Sequence, residues 1–144
     1  MSSFESEVTK TSCNDTEIFN ILSDLRNLEH IKSRIPDGKI SNLTFDRDTC
    51  HFTVSPFGTF GVKVIEREPN KTIKFGSDNS PIDFNFWVQL KQVAENDTRI
   101  KLTMKTEMNF LIKSVVEPMI QPILNKMANA LASLPYKNYQ NKLK

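Results

Sequence analysis

The chain has 144 residues, 38% of them hydrophobic and 25% charged, which is the balance of one soluble globular domain and not of a disordered segment. The net charge is +2, and the 19 Lys and Arg residues are spread along the chain. This distribution lacks the basic stripe of a nucleic-acid-binding protein. No apolar run approaches the ~20 residues of a membrane span, so we expect no stable membrane insertion.

The N-terminal residues have neither the basic start nor the apolar run of a signal peptide, which favours a cytoplasmic location. In that compartment Cys13 and Cys50 are expected to be reduced, buried thiols and not a disulfide. We expect a single domain over residues 1–135 and a flexible C-terminal tail, 136–144.

The N-terminal part of the chain shows first the hydrophobic period of a strand and then that of a helix. Alternation from Phe4 to Lys10 predicts a short, half-buried strand. Asn14 or Asp15 then stands in the N-cap position of a helix whose apolar residues run from Ile18 to Leu25. A second short helix is expected from about Asn27, and Pro36-Asp37-Gly38 ends it.

From Lys39 onward the spacing of the hydrophobic residues changes from a period of 3.6 residues to a period of 2, which predicts strands. We expect six of them, at Lys39–Asp46, Thr49–Val54, Gly58–Arg67, Thr72–Ser77, Asp83–Ala94 and Thr98–Met108. The connections between them are too short for parallel crossovers, so the pattern favours an antiparallel meander. The first strand of the chain is expected at an edge of this sheet.

A long helix is predicted from Asn109 to Leu134, because apolar residues recur there at gaps of three and four. Asn109 is a suitable N-cap, and Pro135 marks the end. Pro118 and Pro122 predict either a bent helix or a short helix that runs into a long one near Glu117. We expect this element to cover the apolar face of the sheet.

This order of elements, together with Ile35-Pro36-Asp37, Asp97-Thr98-Arg99 and Glu117-Pro118-Met119, resembles the helix-grip superfamily. The superfamily includes START lipid-transfer domains, the birch-pollen-allergen group and the polyketide cyclase/dehydrase (SRPBCC) group. The resemblance runs from Phe4 to Pro135. It implies an α+β fold, in which a strongly curved, seven-stranded antiparallel sheet wraps around the C-terminal helix. It also implies a cavity between them. Many members bind lipids, sterols or aromatic polyketides, and a minority catalyse cyclisation or dehydration.

The leading hypothesis is non-covalent binding of a small hydrophobic molecule or lipid in that cavity, without a cofactor. Walls rich in Phe and Met suit flexible apolar ligands, although an ordinary packed core is the alternative. The expected lining residues are Phe52, Phe60, Phe75, Phe84, Phe86 and Met104 from the sheet, with Met119, Ile123 and Met127 from the helix. The sequence leaves the oligomeric state open.

Catalytic chemistry finds less support. His30 and His51 are the two histidines, and neither has another ligand at metal-binding spacing. His51 is either a residue of the sheet surface, which we favour, or the polar group of the cavity. Asp83 is either a turn residue or a carboxylate at the cavity mouth. A cyclase or dehydratase that uses His51 or Asp83 as acid or base is therefore an alternative, but we expect a binding protein and not an enzyme.

Trp87 supports a third hypothesis. It alternates with Phe86 and Val88, so it is expected on the outer face of the sheet. There it either marks the partner surface of an adaptor with a packed core, or lies sheltered under neighbouring Lys and Gln side chains.

Overall fold

The structure, a computed structural model, describes residues 2–31, 40–54 and 58–136. The N-terminal elements are β1 (Ser2–Glu5), β2 (Thr9–Thr11), α1 (Asp15–Leu22), a 3-10 turn (Leu25–Asn27) and α2 (Leu28–Ile31). They are followed by β3 (Ile40–Phe45), β4 (Thr49–Val54), β5 (Gly58–Glu68), β6 (Thr72–Ser77), β7 (Phe84–Ala94), β8 (Asp97–Thr106) and α3 (Phe110–Ala132). The predicted end of the second helix at Pro36-Asp37-Gly38 lies outside the described residues.

The eight strands form one antiparallel sheet in the order β1-β8-β7-β6-β5-β4-β3, and β2 also pairs with β8. Consecutive strands from β3 to β8 are therefore neighbours, which confirms the predicted meander. The prediction of the first strand at a sheet edge is confirmed as well, because β1 pairs with β8 at one end of the order. Among the six strands of the meander, the largest boundary error is at the end of β8, predicted at Met108 and found at Thr106.

The first strand is split, whereas the sequence predicts one continuous strand from Phe4 to Lys10. Glu5 pairs with Thr103 and Thr9 with Ile100, so one strand advances by four residues while its partner advances by three. The extra residue is a bulge. Ser6 maintains the ladder across it, since its N–H donates to the Leu102 carbonyl (2.8 Å) and its Oγ accepts from the Leu102 N–H (2.9 Å). The sheet therefore has eight strands where seven were expected.

Helix α1 begins with a capping box, which confirms the predicted N-cap. The Asn14 Oδ1 accepts from the Glu17 N–H at 2.8 Å, and the Glu17 Oε1 accepts from the Asn14 N–H at 3.1 Å. Both bonds satisfy backbone donors that the first turn of a helix leaves free. The helix buries Ile18, Phe19, Ile21 and Leu22 and packs against β6 and β7.

Asn14→Ala is expected to lower the free energy of unfolding by roughly 0.5–2 kcal/mol, because it removes the side chain of this cap. Asn20→Ala is the control, since Asn20 is exposed on the same helix and alanine is the better helix former. Urea denaturation followed by circular dichroism measures both variants. If the two had the same stability, the capping box would contribute nothing.

Helix α3 is continuous through Pro118 and Pro122, so of the two alternatives the one with a short helix that runs into a long one near Glu117 is wrong. The Asn109 Oδ1 accepts from the Ile112 N–H at 2.9 Å, which confirms the predicted N-cap. The helix ends at Ala132. Tyr136, which the sequence assigns to the tail, is fully buried, and its hydroxyl donates to the Leu131 carbonyl. The packed part of the chain thus includes Tyr136, and residues 137–144 lie outside the described set.

Polar contacts fix α3 along the β1–β2 edge of the sheet. The Gln121 Nε2 donates to the Glu5 carbonyl at 2.6 Å, and the Asn125 Oδ1 accepts from the Glu7 N–H at 2.8 Å. The Thr9 hydroxyl donates to the carbonyl of Ala128 (3.1 Å). The side chains that α3 buries, Ile120, Leu124 and Ala128, lie four residues apart on one stripe.

The two ends of the sheet are covered differently. At one end, which we call the closed end, α1 and the C-terminal half of α3 lie against the start of β8, the end of β7 and the start of β6. Ile18, Ile73 and Ile100 are fully buried there. The opposite end, where β4, β6 and β8 finish, is called the open end. The densest part of the core therefore lies toward the closed end.

Candidate functional site

A wall of half-buried apolar side chains lines the inner face of the sheet toward the open end. Alternation along the strands places these residues on the same face as the buried Cys50, Val88 and Leu102. The residues of this open-end wall are Phe52, Phe60, Phe84, Phe86 and Met104. Each is partly exposed, whereas core residues of the closed end are fully buried. The wall thus retains accessible apolar surface on the inner face.

Ring contacts join the sheet residues into two groups. Phe52 lies opposite Phe60, with ring centroids 6.1 Å apart and planes at 18°. Phe75 lies opposite Phe86, with centroids 6.0 Å apart and planes at 50°, and Phe86 in turn lies opposite Met104. Of the six sheet residues expected in the site, Phe75 is the one that belongs to the buried core.

The three residues expected from the helix lie beside its buried stripe. Met119 and Ile123 are each two residues from Gln121, which is roughly 200° around a helix. Because Gln121 binds the β1–β2 edge, Met119 and Ile123 are turned away from that edge. Met127 packs against the core, Met119 is half-buried and Ile123 is 47% exposed. This flank of α3 is therefore apolar and partly accessible, as the open-end wall is.

The start of α3 adds apolar residues that the sequence analysis did not place in the site. Leu111, Ile112, Val115 and Val116 line a groove of about 270 Å³. Leu111 is 76% exposed, although helical spacing alone predicts that it lies on the covered face. The long apolar run of the sequence includes these residues, but it does not show which part of the helix the sheet leaves uncovered.

Polar groups of the inner face are already bonded within the chain. The Thr106 hydroxyl donates to the Asp83 carbonyl at 2.7 Å, and the Thr98 hydroxyl donates to the Cys13 carbonyl at 2.8 Å. The Ser77 Oγ accepts from the Phe84 N–H at 3.3 Å. These hydroxyl groups could otherwise form hydrogen bonds that orient a ligand. Burial of apolar surface is therefore the main interaction that this part of the chain offers.

The two acid–base candidates are not part of the open-end wall. His51 alternates with the inward Cys50 and Phe52, and its Nε2 lies 3.1 Å from the Asp78 Oδ2 on the outer face. Asp83 is exposed. The expected surface position of His51 is confirmed. The structure gives no support to His51 as an acid or base on the inner face, and the exposed position of Asp83 just before β7 fits the interpretation as a turn residue. The side chain of His30 lies outside the described set.

Trp87 lies on the outer face, as predicted. Its ring is half-buried between two lysines, with the Lys74 Nζ 5.4 Å and the Lys105 Nζ 5.7 Å from the ring centroid. Cation–π contacts of this kind cover the aromatic face. The indole is therefore sheltered by charged side chains, which weakens the hypothesis of an adaptor surface centred on it.

The thiols are structural in character. Cys13 and Cys50 are both free and buried, as expected, and burial raises the pKa of the Cys50 thiol to about 11. Its thiolate is scarce at neutral pH, and the thiolate is the nucleophilic form. Within residues 2–31, 40–54 and 58–136, no three His, Cys, Asp or Glu side chains are grouped so that they could hold a metal ion.

Comparison with known proteins shows the fold. No protein-family model and no curated protein sequence matches the chain. The structure is similar to norcoclaurine synthase from Thalictrum flavum, solved with dopamine and hydroxybenzaldehyde, with a TM-score of 0.70 and 14% identity over 97% of this chain and 87% of that one. It is also similar to XoxI from Bacillus cereus (TM-score 0.68, 13% identity, 92% of this chain and 94% of that one). A protein of Thermus thermophilus gives a TM-score of 0.66 at 12% identity, over 91% of this chain and 94% of that one.

These neighbours share the helix-grip fold of the birch-pollen-allergen and SRPBCC proteins. The predicted α+β helix-grip fold, a large antiparallel sheet with two short helices and a long C-terminal helix, is thereby confirmed.

Proposed function

We propose that this chain binds a small hydrophobic molecule or a lipid, non-covalently, between the open-end wall and the apolar flank of α3. The observation that carries the proposal is the partial exposure of both surfaces, which belong to the same side of the sheet. The ligand-contacting residues we propose are Phe52, Phe60, Phe75, Phe84, Phe86, Met104, Met119, Ile123 and Met127.

Affinity in such a site comes from apolar area removed from water, at about 25 cal/mol per Å². Because the inner-face hydroxyls named above are bonded within the chain, shape and volume select the ligand more than polar contacts do. Norcoclaurine synthase, solved with two small aromatic molecules, supports a small-molecule site in this fold. Since His51 lies on the outer face and Asp83 is exposed, we propose binding and not catalysis for this chain. The two free, buried thiols are compatible with the cytoplasmic location that we also propose.

Native mass spectrometry of protein purified from its host, followed by denaturation, tests the proposal directly. We expect an additional mass on the folded protein and release of a lipid or small aromatic molecule on unfolding. An empty protein that also shows no thermal shift with fatty acids, sterols or flavonoids would contradict the proposal and favour the packed-core alternative.

A matched pair of variants on β5 locates the site. Phe60→Ala removes a ring from the open-end wall and is expected to weaken binding of 1-anilinonaphthalene-8-sulfonate roughly tenfold, which corresponds to about 1.4 kcal/mol of lost burial. Ile65→Ala removes a side chain that is 50% exposed and lies over Gly76 on the outer face, and it is expected to leave the affinity unchanged. Fluorescence titration measures both variants. Equal affinities would place the dye elsewhere on the molecule.

A further inference from the structure

The first turns of α3 carry a contiguous, exposed apolar surface, which we call the α3 tip. Its residues are Phe110 (83% exposed), Leu111 (76%), Ile112 (38%) and Val115 (59%). Single exposed apolar residues are normal on a protein surface, whereas a contiguous apolar patch of a few hundred Å² is often a functional surface. The tip lies at the open end of the sheet, just after β8 finishes. It is therefore a candidate interaction surface at the mouth of the proposed ligand site.

The charged residues nearest to the tip in the sequence carry both signs. The first turn of α3 contains no acidic residue, and Lys113 on the second turn pairs with Glu117, Nζ to Oε2, at 3.8 Å. Before the helix, Lys105 and Glu107 contribute one charge of each sign. A partner held by charge complementarity would need an excess of one sign. The tip thus fits a partner that offers apolar contact and little net charge.

The size of the tip argues against a second copy of this chain as that partner. Its four side chains expose roughly 450 Å² in total, whereas a stable dimer buries about 800 Å² on each partner. A lipid bilayer places no such demand on shape or area, because its interface deforms around inserted side chains. No helix among the described residues is long and apolar enough to cross a bilayer, so the contact that remains is one at the membrane surface.

We propose that the α3 tip inserts reversibly into the interfacial region of an uncharged lipid bilayer, with Phe110 and Leu111 as the inserted residues. The groove lined by Leu111, Ile112, Val115 and Val116 continues the tip along the helix. Docking in this way brings the open end of the sheet to the membrane surface. The inference rests on the exposure and charge of the tip and does not depend on which ligand the inner face holds.

Flotation of the full-length protein with phosphatidylcholine vesicles tests the proposal. The wild-type protein is expected to float, and F110S/L111S is expected to reduce the vesicle-bound fraction roughly tenfold. The control, I65S/V93S, replaces two residues that are 50% and 51% exposed elsewhere, and it is expected to float like the wild type. Because the attraction is apolar, raising NaCl from about 0.1 to about 0.5 M is expected to change binding less than twofold.

Any of the following three results would overturn the inference. Equal flotation of both double variants would mean that the tip makes no contact with the bilayer. A dimer in native mass spectra that F110S/L111S dissociates would assign the tip to a second copy of the chain. If the protein floated only after removal of residues 137–144, that segment, and not a bilayer, would be what covers the tip in the full-length chain. Phe60→Ala should float normally while it loses the dye, so failure of the ligand site and failure of the membrane contact are distinguishable.

Discussion

Leu124→Ala is expected to lower the free energy of unfolding by about 2–5 kcal/mol, whereas Ile123→Ala next to it is expected to cost less than about 1 kcal/mol. Leu124 is 3% exposed and belongs to the core cluster, so its truncation leaves a cavity. Ile123 is 47% exposed and loses little burial. Urea denaturation followed by circular dichroism compares the two variants with the wild type. Equal losses would show that α3 is rotated away from the orientation in which Leu124 faces the core.

The variants Leu124→Ala and Ile123→Ala also test the proposed ligand binding. Ile123 is one of the proposed ligand-contacting residues, so Ile123→Ala is expected to weaken binding of the dye while stability is nearly unchanged. Separation of the two effects between adjacent residues would distinguish the ligand-facing flank from the core-facing stripe.

Gly61→Ala is expected to destabilise the protein by roughly 1–3 kcal/mol, because an added Cβ has no space. The Cβ would collide with the backbone carbonyl of Asp78 and lie 2.6 Å from the His51 Cδ2. The same region carries two hydrogen bonds, from the Asp78 N–H to the Gly61 carbonyl and from the Gly61 N–H to the Ser80 Oγ, each of 2.8 Å. A backbone group held in this way cannot move aside without breaking them.

Gly76→Ala is the matched control for Gly61→Ala. At Gly76 the new Cβ meets the Cδ1 of Ile65, which is the free end of a half-exposed side chain that can rotate. The loss is expected to be below about 1 kcal/mol, since alanine also reduces the entropy of the unfolded chain. Thermal or urea denaturation ranks the two variants. A larger loss at Gly76 would contradict the explanation by backbone contact.

The sheet was predictable because apolar and polar residues alternate along its strands, which is the pattern of a sheet with one face exposed to solvent. In β8, Ile100, Leu102 and Met104 alternate with Arg99 and Lys101, so period and polarity identify both the strand and its inner face. The short connections then left an antiparallel meander as the economical order. The split between β1 and β2 was not predictable, because it depends on the Ser6 hydroxyl replacing a backbone group in the ladder with β8.

The site was predictable in composition but not in arrangement. Apolar residues of α3 occur on more than one side of the helix, so spacing alone does not decide whether Ile123 or Leu124 is buried. Contacts from Gln121 and Asn125 to the backbone of Glu5 and Glu7 fix the rotation, and such long-range bonds leave no trace in a local pattern. The exposure of the α3 tip was unpredictable for the same reason.

The bonds between α3 and the first strands have a consequence for synthesis of the chain. They join residues 116, 118 and 119 positions apart, and β1 and β2 pair with β8, so the N-terminal strands acquire their partners late in translation. Such distant contacts give a high contact order, which slows folding toward the millisecond-to-second range. While the ribosome is still adding β8 and α3, the meander has an unpaired edge and an uncovered apolar face. That interval is when the nascent chain is most exposed to aggregation and to chaperones.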